Sequence, residues 1–254
     1  MRLHDVGSIT GEPQAGRLLF FAEPIPYRDI WQLQQSVHAD RRRNACSDTL
    51  ILLQHQAVYT MGRSTIAAHI PQGEDVLLRS GAAVETVNRG GSVTYHGPGQ
   101  LVGYPIMRFP RVASGPRAYV SLLEEVVIRT LSGWGIKGHR VEKTPGVFVS
   151  HGGREFKIAS IGIRADRGVT LHGFSINVDL DLSPFALIVP CGLHGVEVTS
   201  MRHLCGGSVP ISDVASVLSL RFAELFRLSW HADKRVALDP LHEQRFSPEA
   251  TEVS

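Results

Sequence analysis

Residues 89–105 read RGGSVTYHGPGQLVGYP, with five glycines between Arg89 and Gly103. Glycine at that density lets the backbone approach a ligand or a second chain segment closely, because no Cβ stands in the way. A long surface loop needing tight turns would have the same composition. Two common glycine signatures are excluded. No Gly-Lys-Ser/Thr follows, so the stretch is not a phosphate loop, and the Gly-x-Gly-x-x-Gly spacing of a dinucleotide site is missing.

Working outward, Ala83–Asn88 reads as a strand that feeds the glycine cluster. Upstream of it, Leu50, Ile51, Leu52 and Leu53 make Thr49–His55 a short continuous apolar run, as in a buried strand. Ile30, Leu33 and Val37 lie at helical spacing in Tyr27–Arg43. Downstream, Pro116–Ser132 predicts a helix with a buried stripe of Val120, Leu123, Val127 and Leu131. Its proline suits the first turn and Gly133 the stop. Gly146–Ser150, Glu155–Arg164 and Val169–Val178 form a three-stranded antiparallel meander, turning at His151-Gly152-Gly153 and Ala165–Gly168. Ser183-Pro184 opens a short helix, and Asp213–Leu228 reads as a longer one. There is no internal repeat. The expected architecture is one α+β domain on a mixed, largely antiparallel sheet. It covers residues 1–232, and 233–254 form a loosely ordered C-terminal tail.

The composition, 43% apolar and 20% charged over 254 residues, is that of an ordinary globular protein. A formal net charge of +2 gives no nucleic-acid footprint. The run Arg41-Arg42-Arg43 fits either a helix end facing water or a docking site for an acidic protein. Cys46, Cys191 and Cys205 lie far apart with no Cys-x-x-Cys pair, and no His-Glu-x-x-His occurs, so no metal is expected. The start, MRLHDVGSITGEP, lacks a signal-peptide core, and no run approaches 18 apolar residues. A cytoplasmic chain with reduced thiols and no membrane contact is therefore expected.

As an ordered string, residues 89–105 resemble the signature of the lipoyl/octanoyl transferases. The resemblance continues through Val58–Gly62, Thr144–Val147, Lys157–Gly162, His172–Asn177 and Pro190-Cys191-Gly192. It implies a fold like the catalytic domain of biotin and lipoate protein ligases, with helices flanking a central mixed sheet. It also implies transfer of an octanoyl group from acyl carrier protein to a lysine of lipoyl domains, those of 2-oxoacid dehydrogenase E2 subunits and of the glycine cleavage H protein. No cofactor is implied. By the same resemblance Cys191 carries the acyl group as a thioester and Lys157 lowers that thiol's pKa. The acyl contacts fall on Arg89, Gly90, Gly91, Ser92, Val93, Thr94, Tyr95 and His96, on Ser160, Ile161 and Gly162, and on Gly173, Phe174 and Ser175.

The residues support this chemistry in their own right. Passing from a thioester to an amide is downhill, so no nucleotide is required, and a thiol nucleophile splits the transfer into two thioester-level steps. A cysteine of ordinary pKa is mostly protonated at neutral pH, and a cationic neighbour helps it ionise. In a regular strand Lys157 shares its face with Ala159 and Ile161, where a lysine is costly to bury without a partner. It either reaches water at a strand edge or serves such a thiol. Cys191 is either an inert small hydrophobe or a nucleophile in a Pro-Cys-Gly turn whose amides could hold an oxyanion. Cys46 and Cys205 read as structural. His96 could shape the pocket, and His172 fits a satisfied core position. Three rivals remain at this level: an ATP-dependent lipoate or biotin ligase on the same fold, a cysteine hydrolase using His172 or His194, and a non-catalytic acyl-binding protein.

Overall fold

The computed structural model describes residues 12–192 and 195–231, apart from the side chains of Pro110 and Cys191. The chain opens with β1 (Gln14–Ile25), α1 (Tyr27–Arg42), β2 (Asp48–His55) and β3 (Val58–Met61). There follow α2 (Glu74–Arg79), β4 (Ala83–Thr86), β5 (Thr94–His96), β6 (Gln100–Ile106), α3 (Phe109–Val112) and α4 (Pro116–Ser132). A run of strands comes next: β7 (Gly138–Val141), β8 (Thr144–His151), β9 (Arg154–Asp166) and β10 (Val169–Asn177). The described chain closes with β11 (Glu197–Val198), α5 (Met201–Cys205), α6 (Ile211–Phe226) and β12 (Leu228–His231). One-turn 3-10 segments lie at Ala67–His69, Ser183–Leu187 and Pro190–Gly192.

The main sheet runs β12-β1-β2-β6-β10-β9-β8-β7, with β11 added beside β9, and β4-β3-β5 form a small second sheet. Pairing is parallel at β12/β1, β1/β2 and β11/β9 and antiparallel from β2 through β7, so the main sheet is mixed and mostly antiparallel. The continuous apolar run of β2 is explained by burial on both faces. Leu50 and Leu52 meet the core under α4 and α6, whereas Ile51 and Leu53 meet Ile30 and Val37 of α1. The helix at Pro116–Ser132 and the meander stand where the sequence places them.

Seven strands were not read from the sequence: β1, β3, β7, β11 and β12 were not anticipated, and the glycine segment, legible as a loop, contributes β5 and the central strand β6. The arginine run also has an internal role. Buried Asp48 accepts from Arg41 Nε at 2.6 Å and from Arg111 Nε at 2.9 Å, and Arg108 donates to the Arg41 and Arg42 carbonyls. Arg41, Arg108 and Arg111 therefore fasten α1, β2 and α3 together. The expected tail, 233–254, lies outside the described residues.

Candidate active site

Where β9 passes Ile158 its regular ladder breaks. Val147 pairs with Ala159 and Phe148 with Lys157, which leaves Ile158 as an extra, unpaired residue. Such a bulge re-aims neighbouring side chains, so Lys157 and Ala159 do not share a face by simple alternation as a regular strand would require. The strand beside β9 changes here as well. β10 pairs with it from Asp166 to Ala159, and β11 takes over at Phe156 and Lys157. Lys157 is 2% exposed. Its Nζ donates to the Pro145 carbonyl at 2.9 Å and lies 5.4 Å from the centre of the Phe148 ring. Room for it comes from Gly146, whose φ of 128° only glycine adopts readily.

Lys157 lines a cavity of about 330 Å³ bounded by β6, β9, β10, the glycine segment, Lys143 with the start of β8, and Tyr27 at the start of α1. Of the residues singled out in the sequence, Arg89, Gly90, Gly91, Ser92, Thr94 and His96 line it. So do Ser160, Ile161, Gly162, Gly173, Phe174 and Ser175. Val93 and Tyr95 do not. They alternate to the other side of the segment and pack with Tyr59, Ile70 and Phe185 under the small sheet. Tyr27, Thr60, Tyr104, Thr144 and Pro145 line the cavity without having been singled out. The similarity at Val58–Gly62 and Thr144–Val147 already marked three of them.

Arg89 organises the glycine segment. Its guanidinium donates to the carbonyls of Gly90 (3.1 Å), Ser92 (2.7 Å) and Thr60 (2.6 Å) and to the Thr60 hydroxyl (2.8 Å). One strongly hydrogen-bonding cation thereby satisfies backbone that would otherwise be buried unpaired. A polar chain fixes His96 next to it. Asn177 Nδ2 donates to the Thr199 carbonyl and Gln100 Nε2 donates to Asn177 Oδ1, so Gln100 Oε1 faces His96 Nδ1 at 2.6 Å. His96 consequently carries its proton on Nδ1 and keeps Nε2 as an acceptor. Burial lowers its pKa to about 3. His172 donates through Nε2 to Asn88 Oδ1 at 2.7 Å and stacks on Trp31, and burial followed by the Arg89 charge lowers its pKa to about 3. Behind them His55 donates to the Ile25 carbonyl and accepts from the Tyr104 hydroxyl at 2.8 Å, and burial lowers its pKa to about 4. The cavity thus combines apolar walls and neutral histidines with two buried cations. No group of three metal-ligating side chains occurs among the described residues.

Cys191 belongs to the one-turn segment Pro190–Gly192, and its side chain lies outside the described residues, as do residues 193–194. The turn is held from below by His69, whose carbonyl accepts from Val189 N–H at 2.8 Å. His69 Nδ1 accepts from the Ile66 N–H at 3.3 Å and lies 2.6 Å from the hydroxyl of Ser92, which is itself a cavity residue. One residue, His69, therefore links the cavity wall through its ring to the turn through its carbonyl. Past the turn the chain enters β11, and Thr199 N–H donates to the Lys157 carbonyl at 3.0 Å. Among the other cysteines, Cys46 lies half-buried with its thiol directed at the Val37 carbonyl, and Cys205 is exposed.

This architecture is that of the lipoate protein ligases. The bi-partite lipoate protein ligase of Thermoplasma acidophilum superposes with a TM-score of 0.65 at 18% identity, over 86% of each chain. A lipoate-protein ligase A bound with ATP gives 0.64 at 17% identity, over 86% of this chain and 88% of the other. The family described as "Lipoyl protein ligase A/B catalytic domain" matches residues 26–223. The octanoyltransferase of Thermosynechococcus vestitus is 41% identical over 81% of this chain and 88% of its own length. That of Solibacter usitatus is 43% identical over 80% and 89%. The chain belongs to the lipoyl protein ligase A/B catalytic-domain family, and within it to the octanoyltransferases.

Proposed function

We propose that this chain, through a catalytic unit spanning residues 1–232, moves an octanoyl group from acyl carrier protein to a lysine of lipoyl domains. The acyl group rests on Cys191 between the two half-reactions. The observation that carries the mechanism is Lys157, a buried lysine lining an apolar cavity, whose Nζ donates to the Pro145 carbonyl and which feels the charge of the Glu124 carboxylate of α4. A cation in such a place suits an anion formed during the reaction.

The resting enzyme holds Cys191 as thiolate and Lys157 as ammonium. The thiolate attacks the octanoyl thioester carbonyl, a new C–S bond forms, and the carrier's C–S bond breaks. The departing carrier thiolate takes a proton from Lys157. The carrier leaves, and a lipoyl domain presents its neutral lysine amine to the acyl-cysteine. Attack forms the amide, Lys157 accepts the proton that the amine loses, and Cys191 departs as thiolate, which restores the starting pair. The acceptor classes that the family resemblance implies are E2 lipoyl domains and the glycine cleavage H protein, each offering a lysine to this step. A cytoplasmic location accords with the reduced thiol that this scheme needs.

Intact-protein mass spectrometry after mixing with octanoyl-acyl carrier protein, without ATP, tests the scheme. An octanoyl adduct that hydroxylamine removes and Cys191→Ser abolishes is expected. Lipoyl-domain modification only in the presence of ATP would instead make the chain a ligase. Release of free octanoate with no gain from added lipoyl domain would make it a hydrolase.

A further inference from the structure

The carbonyl that holds Lys157 and an amide held by α4 belong to one peptide unit. Lys157 Nζ donates to the Pro145 carbonyl at 2.9 Å, and Gly146 N–H, the other half of that peptide, donates to Glu124 Oε1 at 3.1 Å. No cis bond occurs among the described residues, and in a trans peptide the C=O and N–H point in opposite directions. The series therefore runs from carboxylate through peptide to ammonium. The peptide dipole is aligned between the two charges, its N–H towards the anion and its oxygen towards the cation. Hydrogen bonds in series polarise one another, and the effect gains where water is excluded. Lys157 is 2% exposed and Glu124 6%.

Glu124 is held from its other side as well. Its Oε2 accepts from Arg140 Nε at 3.1 Å, and Arg140 Nη2 donates to the Ser121 carbonyl at 3.0 Å and to Glu125 Oε2 at 2.7 Å. Both Glu124 oxygens thus face donors, which is the arrangement of an ionised carboxylate. Burial lifts the Glu124 pKa above its ordinary value, against the opposing pulls of the Gly146 N–H, Arg140 and the Lys157 charge. Glu125, the next residue of α4, holds the same arginine and spends its other oxygen on Arg129 Nε at 2.9 Å.

We propose that Glu124 is a positioning residue for acyl transfer: acting through the Pro145–Gly146 peptide, its charge aims the Lys157 ammonium and strengthens the carbonyl that holds it. Resting on the function proposed above, this keeps Nζ in one place both when it protonates the departing carrier thiolate and when it takes the proton of the incoming amine. Glu124→Gln leaves an amide oxygen for Gly146 and removes the charge.

Two measurements test the relay, and the first needs no turnover. With carbonyl-¹³C proline and ¹⁵N glycine in the full chain, NMR selected for directly bonded pairs reports only Pro98–Gly99 and Pro145–Gly146. Pro145→Ala identifies the Gly146 signal by its loss. The Gly146 amide proton is expected to move upfield in Glu124→Gln, where it bonds a neutral oxygen, and in Lys157→Met, where the carbonyl loses its cationic donor. A signal unmoved in either variant overturns the relay, whatever the chain catalyses.

The second measurement is single-turnover acylation by octanoyl-acyl carrier protein. Glu124→Gln is expected to lower the rate at saturating donor about tenfold, with the half-saturating donor concentration unchanged. Glu125→Gln, which loosens the same arginine, is expected to lower Tm and keep the rate. Equal losses of rate in the two variants, or a Glu124→Gln effect confined to Tm or to the half-saturating concentration, would reduce Glu124 to a brace for Arg140 and overturn the proposal. If Glu124→Gln fails to fold, Glu124→Asp, which keeps the charge and shortens its reach, carries the same comparisons. If wild type forms no adduct, the catalytic reading fails, and the Gly146 shifts still decide the relay.

Discussion

A Cβ atom placed on Gly146 would stand 2.7 Å from Lys157 Cε and 3.2 Å from its Nζ, so the lysine occupies the volume that a side chain at 146 would fill. The same Cβ would lie 2.5 Å from the Ala159 carbonyl oxygen, on the other side of the bulge. Gly146 also donates its N–H to Glu124 Oε1 at 3.1 Å, beneath α4. The position of the ammonium is therefore set by β8 as much as by β9.

Gly146→Ala is expected to cost roughly 1–3 kcal/mol of stability from backbone strain. By displacing Lys157 it is also expected to slow acyl transfer by about a hundredfold, the scale of a lost proton-transfer group. Thermal unfolding and single-turnover acylation measured on the same preparation check both effects. A variant that loses stability and keeps its transfer rate would separate Gly146 from Lys157.

The turn bearing Cys191 depends on His69. A Cβ on Gly192, whose φ is 69°, would come within 2.9 Å of His69 Cε1 and Nε2. Gly192→Ala should suppress the octanoyl adduct, and His69→Ala in the same chain should recover part of it by vacating the ring's space. About 1 kcal/mol of backbone cost remains in the double variant. Adduct yields of the two single variants and the double variant, at matched protein concentration, provide the measurement.

Stability should fall on mild acidification. His55, His96 and His172 titrate near 4, 3 and 3 in the folded chain because burial disfavours their charged forms. In the unfolded chain each titrates near ~6.5. Between pH 6.5 and about 4 the unfolded state therefore binds more protons, and stability is lost as pH drops through that window. Each histidine contributes up to ~1.4 kcal/mol per pH unit there. Denaturant melts from pH 7 to 4.5 should give an uptake of about three protons on unfolding near pH 5 from these residues. A flat profile would mean that the rings are solvated.

Asp48 is 3% exposed and paired with Arg41 and Arg111. Removing its carboxylate strands two guanidinium groups, so Asp48→Ala should cost about 3–5 kcal/mol and lower Tm by roughly 10 °C. Arg111→Met should likewise act on stability and leave the salt dependence of acyl transfer unchanged, because that arginine is spent inside the fold. Calorimetry together with rates at two ionic strengths checks both variants.

How far the sequence could be read depended on whether a segment's signal was local. Pro116 and Gly133 bracket a helix by their own backbone preferences, and its bounds follow. β6 was disguised by Gly103 and Pro105, which normally argue against a central strand. The reason for Gly103 lies on another strand, since a Cβ there would sit 2.3 Å from the Phe174 ring. β1 carries Gly16 and Pro24 and pairs in parallel with two strands distant in sequence, so no turn announced it. In the site, ordered motifs named most of the cavity wall. Only alternation in three dimensions turned Val93 and Tyr95 away from it, and the bulge at Ile158 leaves no mark in composition. Tyr27, His55 and His69 reach the site through packing alone.

The handover from β10 to β11 beside Lys157 bears on the order in which the protein can become competent during synthesis. Tyr27, the glycine segment and the lysine strand are all translated before the piece that completes the lysine's surroundings, since β11 and Thr199 come some forty residues after Lys157 (199 − 157 = 42). A nascent chain that has exposed only the first 190 residues can form the acyl slot, but it has neither the turn nor the strand that closes the reactive end. On the proposed mechanism the thiol and its cation therefore meet only late in translation, with α6 and β12 still to add Val214, Leu218, Phe222 and Leu228 to the core.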